Sequence, residues 1–549
     1  MVAGMAFAIS VFLLVQAWIK EYREPLPEPA KPAAGGSAQA PIAPPAPTTT
    51  LGASTAAGRQ PSQPALTQGQ RIQVSTDLLL AEIDTVGGEL RRLELTKYHD
   101  TFDPKKNFVL LEDTAGRTYI GQSGLIGKDL PNHNSLFRAG HPTYELATGK
   151  DDLVVELEGP AGGGALVRKT YVFHRGSYVV DVGFEVKNLG AEAIEPYVYY
   201  QLVRDSKPAE GESKMVPTFS GVEVFTEKDK LHKMSFEDIA KHKASYDQTA
   251  TDGWVAVVQH YFLAAWLPKP GLSREMLVRN LDTTLLAAGV IEPMGRIEPG
   301  QTQTASCRLY VGPQEQDLLK TLAPGLELTV DYGWLRVVAV PLFWVLNEIH
   351  SLVGNWGVAI IALTVLIKLL FYPLSAASYK SMARMKVLAP KLQRLKERYG
   401  DDRQRMHQAM VELYKTEKIN PLGGCLPIVV QIPVFISLYW VLLLSVELRQ
   451  APFVLVDHWI QDLSRPDPYF ILPVLMGATM FIQTWLNPTP PDPMQAKLMK
   501  IMPIGFSIFF FFFPSGLVLY WLVNNILSIA QQWRITHVLE RAKTAHGPS

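Results

Sequence analysis

Cysteine is almost missing from this chain: Cys307 and Cys425 are the only two in 549 residues. So far apart, and with one inside an apolar run, they argue against a disulfide framework or a structural zinc site. Net charge is missing as well, since 52 Lys and Arg balance 52 Asp and Glu, and the total therefore gives no case for nucleic-acid binding. Catalytic signatures are lacking. Gly127-Lys128 is followed by Asp129 and has no glycine five positions earlier, so it is no Walker A loop, and neither HExxH nor GxSxG occurs. The histidines of the middle region (His99, His133, His141, His174, His232, His242, His260) are scattered without ligand spacing. They read as surface or satisfied core residues. No catalytic residue, metal or cofactor is expected.

What the chain does have is apolar sequence, concentrated in its first 20 and last 200 residues, which implies a soluble middle with membrane ends. Residues 357–374 (GVAIIALTVLIKLLFYPL) are long enough to span a bilayer and contain one cation, Lys368. A charge at that depth costs about 2.5–3.5 kcal/mol on insertion scales, so it reads as a functional group facing a polar cavity. The alternative is snorkelling, because Lys368 is six residues from Leu374 and its stem can reach an interface. Thr364, one helical turn earlier on the same face, favours the cavity.

Residues 2–19 form an apolar run with no basic residue before it and no small-x-small cleavage site directly after it. This predicts an uncleaved anchor over 1–20, in place of a signal peptide; the missing basic start would fit a true start codon a few residues upstream. Residues 21–68 are rich in Pro, Ala, Gly, Ser and Thr, a composition that extends as a disordered tether. Over 69–330 short alternating stretches such as YVVDVGFEV (178–186) and LVVEL (153–157) are broken by Gly, Pro and Asn. They predict a large all-β domain of sandwich type that serves binding or scaffolding.

Residues 331–352 are amphipathic and aromatic, as expected of a helix lying in the membrane interface. A second span over 353–374 follows, then four more within 421–533, for six in all. Between them, 375–420 carries eleven Lys and Arg against five acids, which makes this loop cytoplasmic by the positive-inside rule. Alternation then places both termini in the cytoplasm and the β domain outside. Within the loop, apolar residues recur at helical spacing on either side of Gly400-Asp401-Asp402, predicting a helical hairpin. It either buries its own stripe or forms a docking surface. The tail, 534–549, is short and has few basic residues, which argues against strong ribosome binding by the tail alone.

Polar residues recur inside the later runs: Gln431, Ser437, Thr479, Gln483, Asn524, Asn525, Ser528, Gln531 and Gln532. Each alone reads as interhelical glue. Together with Lys368 and Thr364 they outline a wet cavity open to the cytoplasm.

The order of motifs is specific. Asp331-Tyr332-Gly333-Trp334, Val353-Gly354-Asn355-Trp356-Gly357, Tyr372-Pro373-Leu374, Met382-Ala383-Arg384-Met385-Lys386, Asn420-Pro421-Leu422-Gly423-Gly424-Cys425, Gln431-Ile432-Pro433 and Phe513-Pro514-Ser515-Gly516 resemble, over 331–533, the bacterial inner-membrane insertases of the YidC/Oxa/Alb superfamily. Residues 1–330 more weakly resemble the first span and large periplasmic domain of its Gram-negative members. The resemblance implies a five-helix core with a cytoplasm-open hydrophilic groove, beside a periplasmic β-supersandwich. It implies a positive residue at Lys368, where many members have arginine, and groove or substrate contacts at Thr364, Tyr520 and Trp521, the last standing where a second tyrosine is common. The polar residues of the spans and the resemblance together give the expected groove set: Lys368, Thr364, Gln431, Ser437, Gln483, Tyr520, Trp521, Asn524 and Ser528. The implied partners are nascent membrane proteins, the Sec translocon, the ribosome and targeting machinery, and the lipid bilayer. A secondary transporter using Lys368 as an ion site would predict internal repeats with broken helices, and none is found among the spans. A sugar-binding or enzymatic β domain on an anchor would leave the later spans unexplained.

Overall fold

The computed structural model describes residues 68–160, 164–209, 218–282, 284–399, 402–417, 426–453, 459–486 and 493–545. The anchor expected over 1–20, almost all of the tether and Cys425 lie outside these residues. The chain divides after Asp331 into a β unit and a helical unit.

The β unit consists of a ten-stranded and a nine-stranded sheet that share one hydrophobic core. In the nine-stranded sheet, Val179–Asn188 pairs antiparallel with Ala165–His174 on one side and Thr302–Pro313 on the other. Its alternation follows the pleat: Val180, Val182, Phe184 and Val186 are buried, and the residues between them are half-buried or exposed. Strands near the middle lose the alternation. Trp254–Gln259 and Phe262–Leu267 are buried at every position, and Trp254 and Trp266 are among the largest fully enclosed side chains. Cys307 is buried and unpaired.

The helical unit comprises α1 (Arg336–Val353), α2 (Trp356–Leu370), α3 (Tyr372–Tyr399), α4 (Arg403–Thr416), α5 (Leu426–Leu444), α6 (Ile471–Leu486), α7 (Pro493–Phe510) and α8 (Ser515–Ala545). α1 buries Ala339, Phe343 and Leu346 at helical spacing and exposes Val337, Trp344 and Leu352. It stops at Gly354, whose φ of 68° is the left-handed cap that glycine adopts without a Cβ penalty. Asn355 then caps α2, accepting from Val358 N–H at 3.1 Å and donating through Nδ2 to the Pro452 carbonyl at 2.8 Å. α2 ends at Phe371, and the chain bends by 67° into α3. Pro373 explains the restart, since proline suits a helix's first turn, where its missing N–H leaves nothing unsatisfied. α3 and α4 pack together as a helical hairpin.

α8 packs against α2, α3 and α6. Its start is held by the loop before α6: Ser515 and Gly516 N–H donate to the Arg465 and Leu463 carbonyls at 2.7 and 2.9 Å. In that loop Asp467 accepts from Trp459 Nε1 and from the Tyr469 and Leu472 N–H groups. Among the described residues, Gly333–Val353 is the one helical stretch that is by itself long and apolar enough to cross a membrane, and α2 qualifies only together with the first part of α3. Val430–Leu444, Ile471–Leu486 and Lys500–Phe510 are apolar but shorter. Among the described residues, helix length and hydropathy thus mark fewer spans than the six expected.

Candidate functional site

The site lies in the helical unit, around Lys368 in the last turn of α2. A cation at a helix C-terminus meets the negative end of the helix dipole. Its side chain is buried, 7 % exposed. Nζ donates to Ser528 Oγ on α8 at 2.7 Å, and Ser528 in turn donates to the Asn524 carbonyl one turn back, also at 2.7 Å. Among the described residues no carboxylate forms an ion pair with Lys368. The charge is hydrogen-bonded but not neutralised.

Lys368 borders a cavity of about 240 Å³ lined by Ile367 and Phe371 from the α2 end, Gln431, Ile432, Val434 and Phe435 from α5, and Tyr520 and Asn524 from α8. The spacing within each helix explains the convergence. Positions 431, 434 and 435 share one face of α5, and 520, 524 and 528 share one face of α8. Gln431 Nε2 donates to Ser375 Oγ on α3 at 3.1 Å, which orients its amide at the cavity wall. Phe435 touches Tyr520 and Trp521, with ring centroids 5.8 and 4.6 Å apart, so α5 meets α8 here through aromatic rings.

The structure thus brings Lys368, Gln431, Tyr520 and Asn524 to one cavity, with Ser528 directly behind Lys368. Thr364 is buried and donates to the Ile360 carbonyl of its own helix at 2.6 Å, and it does not line the cavity. Ser437 is fully buried on α5, and Gln483 is half-buried on α6; neither reaches the cavity wall. Trp521 is wedged between Phe435 and Phe510, at 4.6 and 4.5 Å, on the side of α8 next to Tyr520. Reading the polar residues alone missed Ser375 and the apolar wall of Ile367, Phe371, Ile432 and Phe435. The signal for Phe435 was its place one turn after Gln431.

The β unit holds a buried charge cluster of its own. Lys169 Nζ donates to the Gly87 and Ser123 carbonyls at 3.0 and 3.1 Å and lies within 6 Å of the ring centres of Phe137, Tyr171 and Phe184. Gly87 and Gly88 both have positive φ, and a Cβ on Gly87 would sit 2.5 Å from the His133 carbonyl, so only glycine forms this turn. Glu89 pairs with Arg91 at 2.6 Å, and Arg91 reaches Asp113 at 2.8 Å. Burial pushes the Glu89 carboxyl up and the Lys169 ammonium down, and their mutual attraction opposes both shifts. His133, buried with Nδ1 2.6 Å from the Tyr199 hydroxyl, is lowered to about 4. Burial is the main cause, followed by the charges of Lys169, Arg279 and Arg91. Among the described residues, none of these groups lines the cavity beside Lys368 or the surface pocket around Arg138 and Tyr144. No cluster of three or more His, Cys, Asp or Glu suited to a metal occurs among the described residues.

A β unit of two sheets joined to a helical unit with a buried, un-neutralised cation is the build of a membrane-inserted protein with a large extramembrane domain. Residues 71–345 match the YidC periplasmic domain family, and residues 348–543 match the 60Kd inner membrane protein family. The chain belongs to this family of bacterial inner-membrane proteins, the YidC insertases. It is 54% identical over 542 residues to the membrane protein insertase YidC of Methylobacillus flagellatus, covering 98% of this chain and 96% of that one. It is 53% identical to the membrane protein insertase YidC of Aromatoleum aromaticum, covering 100% and 99%. A crystal structure of an active YidC insertase with its first transmembrane domain resolved aligns with a TM-score of 0.39 at 18% identity, covering 85% of this chain and 92% of that chain. A galactose mutarotase related enzyme from Lactobacillus acidophilus aligns with a TM-score of 0.28 at 11% identity, covering 44% of this chain and 97% of the enzyme.

Proposed function

We propose that the chain inserts, folds and assembles nascent membrane proteins in the inner membrane, alone or with the Sec translocon, through the cavity beside Lys368. In this reading six segments span the bilayer, both termini and the α3/α4 hairpin face the cytoplasm, the β unit is periplasmic, and the cavity is a groove open to the cytoplasm. The observation that carries it is the buried Lys368 ammonium, which borders a cavity and pairs with no carboxylate among the described residues.

The physical task is to carry the polar tail of a nascent protein across about 30 Å of hydrocarbon. A polar groove reaching part of the way shortens the dry path. Lys368 attracts acidic residues of the tail, and a neutral anchor on Ser528 leaves that charge available to them. The pairing is weak enough to release. The membrane potential, positive outside, then pulls a negative tail outward at about 2.3 kcal/mol per charge per 100 mV. The apolar helix of the substrate moves along the apolar wall of α5 into lipid, driven by hydrophobic partition. No covalent bond is broken, so the chain is not an enzyme. The basic hairpin serves contact with the ribosome and targeting machinery, because positive surface near a membrane attracts RNA and anionic lipid.

The test is depletion of the protein in living cells, with pulse-labelled insertion of a short membrane protein bearing an acidic external tail. Insertion should fail on depletion and return with the wild-type chain. Normal insertion of that and several other substrates under full depletion would move the reading to transport.

A further inference from the structure

Among the described residues that line the cavity, Lys368 is the only charged one, and how it is held there decides what it can do. An ammonium on a four-carbon stem is flexible and strongly hydrated, so in an apolar wall it is useful only if its position is set. The neighbours of Lys368 at the cavity, Ile367 and Phe371, offer it no side-chain acceptor. Ser528 does, at 2.7 Å. The single hydroxyl proton of Ser528 is committed to the Asn524 carbonyl, so toward Lys368 the oxygen presents a lone pair. Ser528 is itself buried, 4 % exposed.

We propose that Ser528 is the positioning residue for Lys368: a neutral acceptor that holds the ammonium at the cavity wall without cancelling its charge, and so sets the preference for acidic over neutral substrate tails. The choice of a hydroxyl matters chemically. A carboxylate at this position would form an ion pair and occupy the charge that an acidic tail needs, whereas an alanine would release the ammonium from its aimed position. A hydroxyl whose own proton is already engaged does neither. This inference rests on the groove reading above.

The experiment measures insertion of two substrates that differ only in tail residues, acidic in one and the matching amides in the other, in depleted cells complemented with each full-length variant. The readout is the acidic-to-amide insertion ratio, with membrane levels of each variant checked by immunoblot. Lys368→Ala should bring the ratio to that of a chain without charge preference. Ser528→Ala should lower the ratio by about three- to tenfold, the equilibrium worth of one hydrogen bond to a charged group partly replaced by water. Ser528→Thr, which keeps the hydroxyl, should restore it, and Ser528→Asp should abolish the preference. A wild-type ratio for Ser528→Ala alongside a lowered ratio for Lys368→Ala overturns the role of Ser528 and leaves the groove reading standing. An unchanged ratio for Lys368→Ala overturns both. A loss in Ser528→Ala that Ser528→Thr does not rescue shows a packing role and also overturns the proposal.

Discussion

Lys368 Nζ and Ser528 Oγ, 160 residues apart in sequence, are joined by a 2.7 Å hydrogen bond between α2 and α8. The bond ties the cation of the cavity wall to the helix that also supplies Tyr520 and Asn524. Because this partner is neutral, the sign of the charge at position 368 should matter more than its exact chemistry. Lys368→Arg is expected to keep insertion of acidic-tailed substrates near the wild-type level, and Lys368→Glu to reduce it about tenfold or more, since a like charge replaces an attraction of the order of 1–2 kcal/mol. Pulse-labelled insertion in depleted cells measures it, and equal insertion by both variants would sink the electrostatic role.

Asn355 links two parts of the helical unit by capping α2 and clamping the Pro452 carbonyl. Asn355→Ala removes both bonds from a buried site, at an expected cost of about 1–2 kcal/mol. Hydrogen exchange of the Val358 amide, followed in detergent-solubilised protein, should accelerate roughly tenfold.

In the β unit, Lys169 ties the Gly87 carbonyl of the turn to the Ser123 carbonyl and lies close to Glu89. Lys169→Met strands those carbonyls and removes a balancing charge, for an expected loss of about 3–5 kcal/mol. The double variant Lys169→Met/Glu89→Gln should lose less than the sum of the two single changes, because each single change leaves a buried charge less compensated. Guanidinium unfolding followed by the fluorescence of the buried Trp254 and Trp266 reports the difference.

His133 should make the β unit acid-sensitive. Its pKa is lowered from 6.5 to about 4 in the folded chain, so between those values the unfolded chain binds the extra proton and the folded one does not. Its contribution is therefore complete above pH 6.5 and is lost as pH falls toward 4, amounting to about 3 kcal/mol. Glu89 is raised and acts in the opposite direction over part of this window, so the informative quantity is the difference between wild type and His133→Asn. The stability advantage of wild type over the variant, from unfolding midpoints at pH 7 and pH 4.5, should shrink by about 2–3 kcal/mol at the lower pH. A constant difference would exclude His133 as the titrating group.

Several elements were legible before any tertiary contact was known. The alternation of residues 178–186 matches the buried face of Val179–Asn188, since a strand in a sandwich turns every second side chain to the core. The break at 400–402 separates the two helices of the hairpin, and the Asp402 carboxylate caps the second, accepting from the Gln404 and Arg405 N–H groups. The misfit of Lys368 in its apolar run was visible from residue types alone, as was the four-residue spacing of 520, 524 and 528. Thr364 shows where that reasoning stops. It shares a helical face with Lys368 by spacing, yet its hydroxyl is satisfied by the Ile360 carbonyl and it lies off the cavity.

The sequence by itself determined which residues share a face: the period of the backbone places side chains on one side of a strand or helix whatever surrounds it. It thereby determined the β character of the middle, the helical character of the last 200 residues and the presence of one charge that apolar surroundings would not tolerate unaided. Only the tertiary structure decided which faces meet. It brought Ser528 to Lys368, Ser375 to Gln431 and Lys169 to the Gly87 turn. A hydrogen bond across many residues depends on how whole elements dock, and docking is set by packing summed over many side chains, which no single local pattern encodes.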